Sequence, residues 1–260
     1  MKVVVPVKQV AALDDEFELL EDRAGVDPDS LEWDLNEWDS FSLEAALQIR
    51  DGAGEGEVVA VTVGDDEAGE GLLSALAKGA DRGVRIWDDE LAGADALAVA
   101  RVLAAAVKPE SPDLVLCGVQ SSDAVNSATG IALAGYLDLP HVAVVKSIEL
   151  EGRTATVERE LEGGLVELLR TSLPALLTIQ TGINEPRYAT LRAIKQAREK
   201  PLAVRSLADV GLELGEAEAA AGSHLRRLSH PEQAEGAEIL DGSAADIAAR
   251  IVSIVRDRVG

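Results

Sequence analysis

Short runs of β-branched apolar residues alternate with alanine-rich stretches of helical period through the first 140 residues of the chain. Apolar runs without polar alternation are typical of strands that are buried on both faces, as in parallel sheets covered by helices on both sides. The alternation therefore predicts an α/β fold with a mostly parallel, doubly wound sheet. The predicted strands are 3–7, 58–63, 84–87 and 114–117, and the predicted helices are 40–50, 68–78, 95–107 and 127–137.

The pattern changes after Pro140, where strand-like runs follow one another without helices between them. The pairs Glu151-Gly152 and Gly163-Gly164 separate these runs and are typical of hairpin turns. We therefore expect an antiparallel extension of the sheet over residues 141–180. Its predicted strands are 142–150, 154–161, 165–171 and 175–180.

We assign residues 1–200 to the α/β domain and residues 201–260 to a C-terminal arm with a terminal helix. The arm is rich in Ala, Glu and Gly, and 215–236 shows no clear period. An amphipathic helix is predicted at 243–259, because apolar side chains recur there on one face. The sequence leaves open whether this helix docks on the same domain or on a partner chain. The apolar face consists of Ile247, Ile251, Ile254 and Val255.

The charge balance is strongly acidic, with 47 acidic against 24 basic side chains and a formal net charge of −23. A nucleic-acid-binding protein needs a basic face to neutralise phosphates, so this class of function is excluded. Dissolved salt screens repulsion between carboxylates. The acidic surplus therefore predicts a salt-rich cytoplasm, and hence a halophilic prokaryote.

Cys117 is the single cysteine of the chain, so it cannot form an internal disulfide bond. The first residues do not have the pattern of a signal peptide, and no run of about 18 apolar residues occurs. We therefore expect a soluble, cytoplasmic protein without a metal site.

The segment from Asp113 to Gly130 is the most informative candidate for a binding site. A hydrophobic strand leads into a loop of small polar residues, and a helix is predicted to begin near Ser127 without bulky side chains in its first turn. Backbone N–H groups at a helix start, together with Ser and Thr hydroxyls, can bind a phosphate. The same residues also suit an ordinary capped connection between strand and helix. A Walker A motif and a complete GxGxxG motif are absent from the sequence.

Two further segments carry residues that suit binding. In 35–46, Asp39 or Ser40 can cap the following helix, whereas Asn36 is available to bind a purine or a ribose. In 184–194, Arg, Tyr and Leu side chains occur together, and Arg and Tyr are preferred anchors of protein interfaces. This second segment predicts a docking loop, with a capped turn into a short helix as the alternative.

Catalytic motifs are not apparent in the sequence. The three histidines are scattered at 141, 224 and 230, and no serine lies in a GxSxG motif. This pattern favours a carrier or binding subunit over a hydrolase.

Seven segments, in order over about residues 2–200, resemble electron transfer flavoprotein beta subunits. The segment at 184–191 is the most specific of them. The seven segments are Val-Pro-Val-Lys-Gln-Val at 5–10, Asn-Glu-Trp-Asp at 36–39, Val-Thr-Val-Gly at 61–64, Ala-Lys-Gly-Ala-Asp-Arg at 77–82, the loop at 120–130, Val-Glu-Arg-Glu at 157–160 and Asn-Glu-Pro-Arg-Tyr-Ala-Thr-Leu at 184–191.

The resemblance implies a nucleotide-binding fold of the adenine nucleotide hydrolase-like type, paired with an alpha subunit that holds a redox FAD. In such beta subunits a structural AMP is bound, although electron-bifurcating members bind a second FAD instead. The residues implied to contact the nucleotide are Pro6, Asn36, Asp39, Val63, Gln120, Ser121, Ser122, Asp123, Ser127, Ala128, Thr129 and Gly130.

The resemblance also implies two docking surfaces. Leu191 corresponds to an exposed anchor that enters a pocket of a dehydrogenase, with Tyr188 beside it, while Arg159 and Glu160 lie near the intersubunit face. The implied function is to carry electrons from primary dehydrogenases, such as an acyl-CoA dehydrogenase in fatty acid oxidation, to a quinone reductase. The alternatives are an electron-bifurcating subunit, a stand-alone adenine-nucleotide-binding protein, and a nucleotide-cleaving or nucleotide-transferring enzyme of the same fold.

Overall fold

The computed structural model describes residues 1–12, 17–23, 25–27, 30–213, 215, 222–223, 225–230, 236–237 and 239–259. Its contacts divide the chain into two compact units, Met1–Arg227 and Leu228–Gly260. The first unit contains all the named strands and five of the named helices. In the part of the chain described here, no helix combines the length and the apolar character needed to cross a membrane.

The elements of the first unit follow the predicted alternation closely. The strands are β1 (Lys2–Pro6), β2 (Gln9–Ala11), β3 (Trp33–Leu35), β4 (Glu57–Val63), β5 (Arg82–Ile86), β6 (Leu114–Gly118), β7 (His141–Glu151), β8 (Thr154–Glu160), β9 (Val166–Ser172), β10 (Ala175–Ile179) and β11 (Leu202–Arg205). The helices are α1 (Glu37–Ala53), α2 (Ala68–Lys78), α3 (Ala96–Val107), α4 (Thr129–Leu137) and α5 (Leu191–Ala197).

Nine strands form one sheet in the order β11-β5-β4-β1-β6-β10-β7-β8-β9. The pairings from β11 to β7 are all parallel, and β8 and β9 add antiparallel strands at one edge. After β1, the chain adds β4 and β5 on one side of β1 and then β6 on the other side of β1. The sheet therefore has a topological switch point between β1 and β6. The predicted doubly wound α/β fold is confirmed.

The predicted antiparallel extension is wrong for its last strand, because β10 is not antiparallel to its neighbours. It lies between β6 and β7 and is parallel to both. All five of its residues are buried, which is the pattern of an interior strand of a parallel sheet. In contrast, the edge strand β9 alternates exposed and half-buried residues, as expected of a strand with one solvated face.

Two hydrophobic clusters cover the two faces of the sheet. Along β1, Val3 and Val5 belong to one cluster and Val4 to the other, because side chains of a strand alternate between faces. Helices α1 and α2 contribute to the first cluster, and α3 and α4 contribute to the second. The carboxyl ends of the strands therefore project from a rigid, doubly covered core.

Three short strands were not predicted. Strands β2 and β3 form a separate antiparallel pair, and β11 pairs with β5 at the sheet edge, so strand structure continues past residue 200. Each has only three or four residues, which is too few to show a period in the sequence.

In the described residues of the second unit, the helix α6 (Ala244–Val259) lies at the place predicted for an amphipathic helix. None of its side chains is buried. The most exposed of its large apolar side chains are Ile251, Val252, Val255 and Val259.

Candidate functional site

A cavity of about 330 Å³ opens at the carboxyl ends of β1, β4 and β6. This volume lies at the lower end of the range of cofactor sites, which is about 300–1,000 Å³. Pro6 ends β1, Val63 ends β4, and Cys117 and Gly118 end β6, and all four side chains or backbones line the cavity. The cavity thus lies at the topological switch point, where open α/β sheets bind ligands.

Ten of the twelve predicted nucleotide contacts line this cavity, whereas Ser122 and Asp123 do not. Contact of the ten with a nucleotide remains a prediction. They are Pro6, Asn36, Asp39, Val63, Gln120, Ser121, Ser127, Ala128, Thr129 and Gly130.

The apolar wall of the cavity comes from the segment between β5 and α3 and from the first turn of α3, which sequence reasoning missed. Trp87, Leu91 and Val99 line the cavity together with residues 93–96. This segment has no nucleotide-binding motif, but a usable signal was present. It follows the strand next to β4, so it had to emerge at the same edge of the sheet.

The carboxyl group of Asp39 links the residue that follows β1 closely to the last residue of β6, beneath the cavity. Its Oδ2 accepts a hydrogen bond from the backbone N–H of Lys8 at 2.8 Å, and its Oδ1 accepts one from the N–H of Gly118 at 3.2 Å. Burial raises the pKa of Asp39 to about 7, even though these hydrogen bonds and nearby Lys8 act to lower it.

The expectation that Asp39 or Ser40 caps helix α1 is wrong. The helix begins at Glu37, so both residues lie inside its first turn, and Asn36 occupies the cap position without a capping hydrogen bond from its side chain. The carboxylate of Asp39 instead satisfies buried backbone N–H groups at the strand ends, which otherwise would lack a partner.

Asn36 braces the loop between β6 and α4. Its Nδ2 donates to the carbonyl oxygen of Gln120 at 2.9 Å, and its Oδ1 accepts from the N–H of Ser122 at 3.3 Å. The residue is only 1% exposed. Its first role in the structure is therefore to hold the loop, and a direct contact with a nucleotide remains a prediction.

The end of that loop has an unusual backbone. Val125 and Ser127 have φ angles of 51° and 50°, in the left-handed region that non-glycine residues rarely adopt. The hydroxyl of Ser127 donates to Oε1 of Gln120 at 3.0 Å, which helps to hold this conformation. Such backbone strain persists only where the surroundings enforce it, and it is frequent at ligand sites.

Helix α4 begins at the cavity wall with Thr129 and Gly130, two residues later than predicted. A Cβ atom on Gly130 would lie 2.8 Å from Cγ2 of Thr178, so glycine lets the helix pack closely against β10. The N-terminus of a helix carries free N–H groups and a partial positive charge, which favour an anion. The start of α4 thus lies at this wall, and phosphate binding there remains a prediction.

Titratable side chains also line the cavity. Among the described residues that line the cavity, Lys8 is the single cationic one, and Asp39 and Asp95 are the acidic ones. Asp95 caps α3 by accepting from the N–H groups of Leu97 and Ala98 at 3.0 Å. Desolvation acts to raise the pKa of Asp95, but hydrogen bonds from Ala98 and from the backbone at 222 and 223 lower it to about 2.

The segment 184–191 contains the capped turn into a short helix that the sequence left as one alternative, and its role as a docking loop remains a prediction. Thr190 caps α5 by accepting from the N–H of Ala193 at 3.1 Å. Tyr188 is 95% exposed and Leu191 is 82% exposed. Two large apolar or aromatic side chains therefore face solvent beside a fixed turn, which is the arrangement that the docking prediction requires.

Arg159 and Glu160 lie at the end of β8, and their role in docking remains a prediction. Arg159 pairs with Glu167 and Glu160 pairs with Lys146, each at 3.6 Å. Exposed apolar side chains surround this end of the hairpin. We refer to Leu161, Leu165, Val166 and Leu168, which are 37–67% exposed, as the hairpin patch.

Comparisons with known proteins agree with this geometry. The profile of the family described as "Electron transfer flavoprotein domain" matches residues 25–210. The chain is 47% identical over 264 residues to the electron transfer flavoprotein subunit beta of Methylophilus methylotrophus, with full coverage of both chains. It is 35% identical to the subunit beta of Bacillus subtilis, covering 94% of this chain and 93% of the relative. The human subunit beta is 38% identical, with 82% of this chain and 84% of the relative covered.

The chain therefore belongs to the electron transfer flavoprotein family, in which the relatives named above are beta subunits. The resemblance found in the sequence is confirmed. The chain is accordingly an electron-carrier subunit rather than an enzyme.

Proposed function

We propose that the chain is the beta subunit of a heterodimeric electron transfer flavoprotein. The alpha subunit would hold the redox FAD, take electrons from a primary dehydrogenase such as an acyl-CoA dehydrogenase, and pass them to a quinone reductase. This chain would supply a structural nucleotide site and the partner-binding surfaces. The observation that carries the proposal is the cavity at the switch point, lined by ten of the predicted contacts in a chain of this family.

The residues of the cavity fit an adenine mononucleotide. The N-terminus of α4 and the ammonium group of Lys8 suit a phosphate, and Val63, Trp87 and Leu91 provide apolar surface for a base. The cavity volume of about 330 Å³ suits a mononucleotide. AMP in this site would be structural, since it adds no redox chemistry.

The segment 184–191, which we call the docking segment, suits the docking of an electron donor. Its exposed residues Tyr188 and Leu191 stand on a backbone that is fixed to helix α1, because Nδ2 of Asn184 donates to the carbonyl oxygen of Phe41 at 3.0 Å. A pre-organised apolar anchor binds a partner at a lower entropic cost than a mobile one. The segment would therefore bind the primary dehydrogenase.

The hairpin patch suits the alpha subunit. Contiguous exposed apolar side chains mark interaction surfaces more often than scattered ones do. Arg159 and Glu160 lie at the rim of this patch, and charged groups at a rim contribute to the orientation of a partner. The patch and the docking segment would thus be used by two different proteins.

The deciding experiment has two steps. The purified chain is denatured, the released nucleotide is identified by chromatography, and the chain is then co-expressed with a candidate alpha subunit to record the visible spectrum. We expect AMP from this chain and flavin absorption from the pair. A pair that never acquires flavin absorption would contradict the carrier function. Release of FAD from the isolated chain would favour an electron-bifurcating subunit, and a nucleotide-loaded homodimer without a flavin partner would favour a stand-alone binding protein.

We also propose that the protein works in a salt-rich cytoplasm. The formal net charge of −23 supports this, because repulsion among carboxylates weakens when salt screens it. The expected result is loss of the folded circular dichroism signal on desalting. A signal that is indifferent to salt would contradict the proposal.

A further inference from the structure

Lys8 occupies a distinctive place in the cavity. It follows β1 at the switch point, and it is the single cation among the lining residues that the structure describes. Its backbone is fixed, since its N–H donates to the carboxylate of Asp39 at 2.8 Å. Its side chain is 46% exposed, so the ammonium group is accessible to solvent rather than buried in the core.

The ammonium group of Lys8 is already paired with an anion from the chain itself. Its Nζ lies 2.6 Å from Oδ2 and 2.8 Å from Oδ1 of Asp123, and 3.3 Å from the hydroxyl of Ser121. Asp123 does not line the cavity, although the resemblance implied that it contacts the nucleotide. Partial burial acts to raise the pKa of Asp123, but the hydrogen bonds from Lys8 and Ser121 lower it, so this carboxyl group is charged at neutral pH.

The ion pair between Lys8 and Asp123 can be replaced by a pair between Lys8 and a phosphate at little cost in free energy. Both side chains are more than a third exposed, and ion pairs of this kind contribute only about 0–1 kcal/mol. The phosphate of a nucleotide carries more charge than a carboxylate and offers more acceptor oxygens. A phosphate at the N-terminus of α4 would therefore compete effectively for the same ammonium group.

We propose that Lys8 is the phosphate-binding cation of the cavity and that Asp123 competes with the nucleotide phosphate for it. The inference rests on the proposed nucleotide function. It gives the two residues opposite effects: Lys8 favours AMP over adenosine, and Asp123 reduces that preference. Asp123 is then not a ligand contact but an internal substitute for the phosphate.

The test is calorimetric titration of the nucleotide-free chain with AMP and, separately, with adenosine. For Lys8→Met we expect AMP binding to weaken about tenfold or more, as for the loss of a charged hydrogen bond. Adenosine binding should change less than about twofold, because adenosine has no phosphate to contact Lys8. For Asp123→Asn we expect AMP binding to tighten several-fold, with adenosine again unchanged. Lys146→Met is the matched control, since Lys146 pairs with Glu160 and does not line the cavity.

The outcomes separate this inference from the proposed function. If the chain binds AMP and adenosine but Lys8→Met weakens both equally, or neither, the nucleotide function stands and the role of Lys8 is refuted. Unchanged or weaker AMP binding in Asp123→Asn refutes the competition. If the wild-type chain binds neither compound, both proposals fail. Should Lys8→Met not fold, the comparison of AMP with adenosine in Asp123→Asn decides alone.

Discussion

Arg187 holds the docking segment on helix α1 through the buried carboxylate of Glu44. Its Nε lies 2.7 Å from Oε2 and its NH2 group 3.1 Å from Oε1, and the backbone N–H of Arg187 donates to Oε2 at 3.2 Å. The side chain of Glu44 is only 6% exposed. Desolvation acts to raise the pKa of Glu44, but the hydrogen bonds and the charge of Arg187 lower it. A bidentate, charge-assisted ion pair therefore attaches the backbone of the exposed residues to α1.

Replacement of Arg187 by alanine should destabilise the chain. The substitution leaves the carboxylate of Glu44 buried without its cation, and the loss of hydrogen bonds between a charged donor and a buried carboxylate costs about 1–3 kcal/mol. The free energy of unfolding, measured by urea denaturation at constant salt, is expected to fall by that amount. Arg198→Ala is the control, because Arg198 pairs with Glu70 at 3.7 Å with both side chains mostly exposed. Such a pair contributes at most about 1 kcal/mol, so equal losses in the two variants would show that the anchor has no special role.

The regular elements could be predicted because their signals are local. Helix α2 was predicted at 68–78 and is found as Ala68–Lys78, since Gly79 with a φ of 133° ends it. Apolar periodicity likewise gave the parallel sheet and the edge of that sheet at which ligands bind. These features depend on neighbours in the chain, which a sequence displays directly.

The contacts that build the cavity could not be predicted, because they join residues far apart in the chain. Asn36 bonds to Gln120, 84 positions away, and Lys8 bonds to Asp123, 115 positions away. The residue types at these positions also suit capping or solvation, so their local context does not reveal the distant partner. The position of β10 inside the sheet was missed for the same reason, as strand pairing is a long-range property.

The buried carboxyl group of Asp39 should make stability fall as pH rises through neutrality. Its pKa is about 7 in the folded chain against an ordinary value of 3.8. The folded state thus binds the proton more tightly, and the resulting stabilisation is lost as pH rises toward 7. Carboxyl groups with lowered pKa values, such as Glu44, act with the opposite sign and at lower pH.

The measurement compares urea unfolding of the wild-type chain and Asp39→Asn between about pH 5 and pH 8. The asparagine has no charge to gain, so its free energy of unfolding should decline less steeply with pH than that of the wild type. A constant offset between the two curves would reflect only the hydrogen bond that the amide cannot accept. Parallel curves would contradict a raised pKa for Asp39.

Truncation of Leu191 should slow electron transfer from the donor without affecting the cavity. The side chain is 82% exposed, so Leu191→Ala should change the free energy of unfolding by less than about 0.5 kcal/mol. If it anchors a dehydrogenase, its loss should weaken docking about tenfold or more, as for other interface anchors. The readout is the rate at which a reduced dehydrogenase reduces the heterodimer, at several dehydrogenase concentrations.

Val204→Ala serves as the control for Leu191→Ala, because Val204 is also an exposed apolar residue, at 58%, and lies on the edge strand β11. The two variants should retain equal amounts of bound nucleotide. A rate for Leu191→Ala equal to that of Val204→Ala would remove the docking segment from the proposed function.

A charge placed in the hairpin patch should prevent assembly with the alpha subunit. Leu168 is 67% exposed on β9, so aspartate is well solvated there in the free chain. In an assembled interface the same carboxylate would lose its water without gaining a partner, which costs several kcal/mol. Leu168→Asp should therefore fold normally but fail to co-purify with a tagged alpha subunit.

Val204→Asp introduces the same charge at the opposite edge of the sheet and should assemble like the wild type. Assembly of Leu168→Asp at the wild-type level, measured by sedimentation of the co-expressed pair, would place the alpha subunit on another surface.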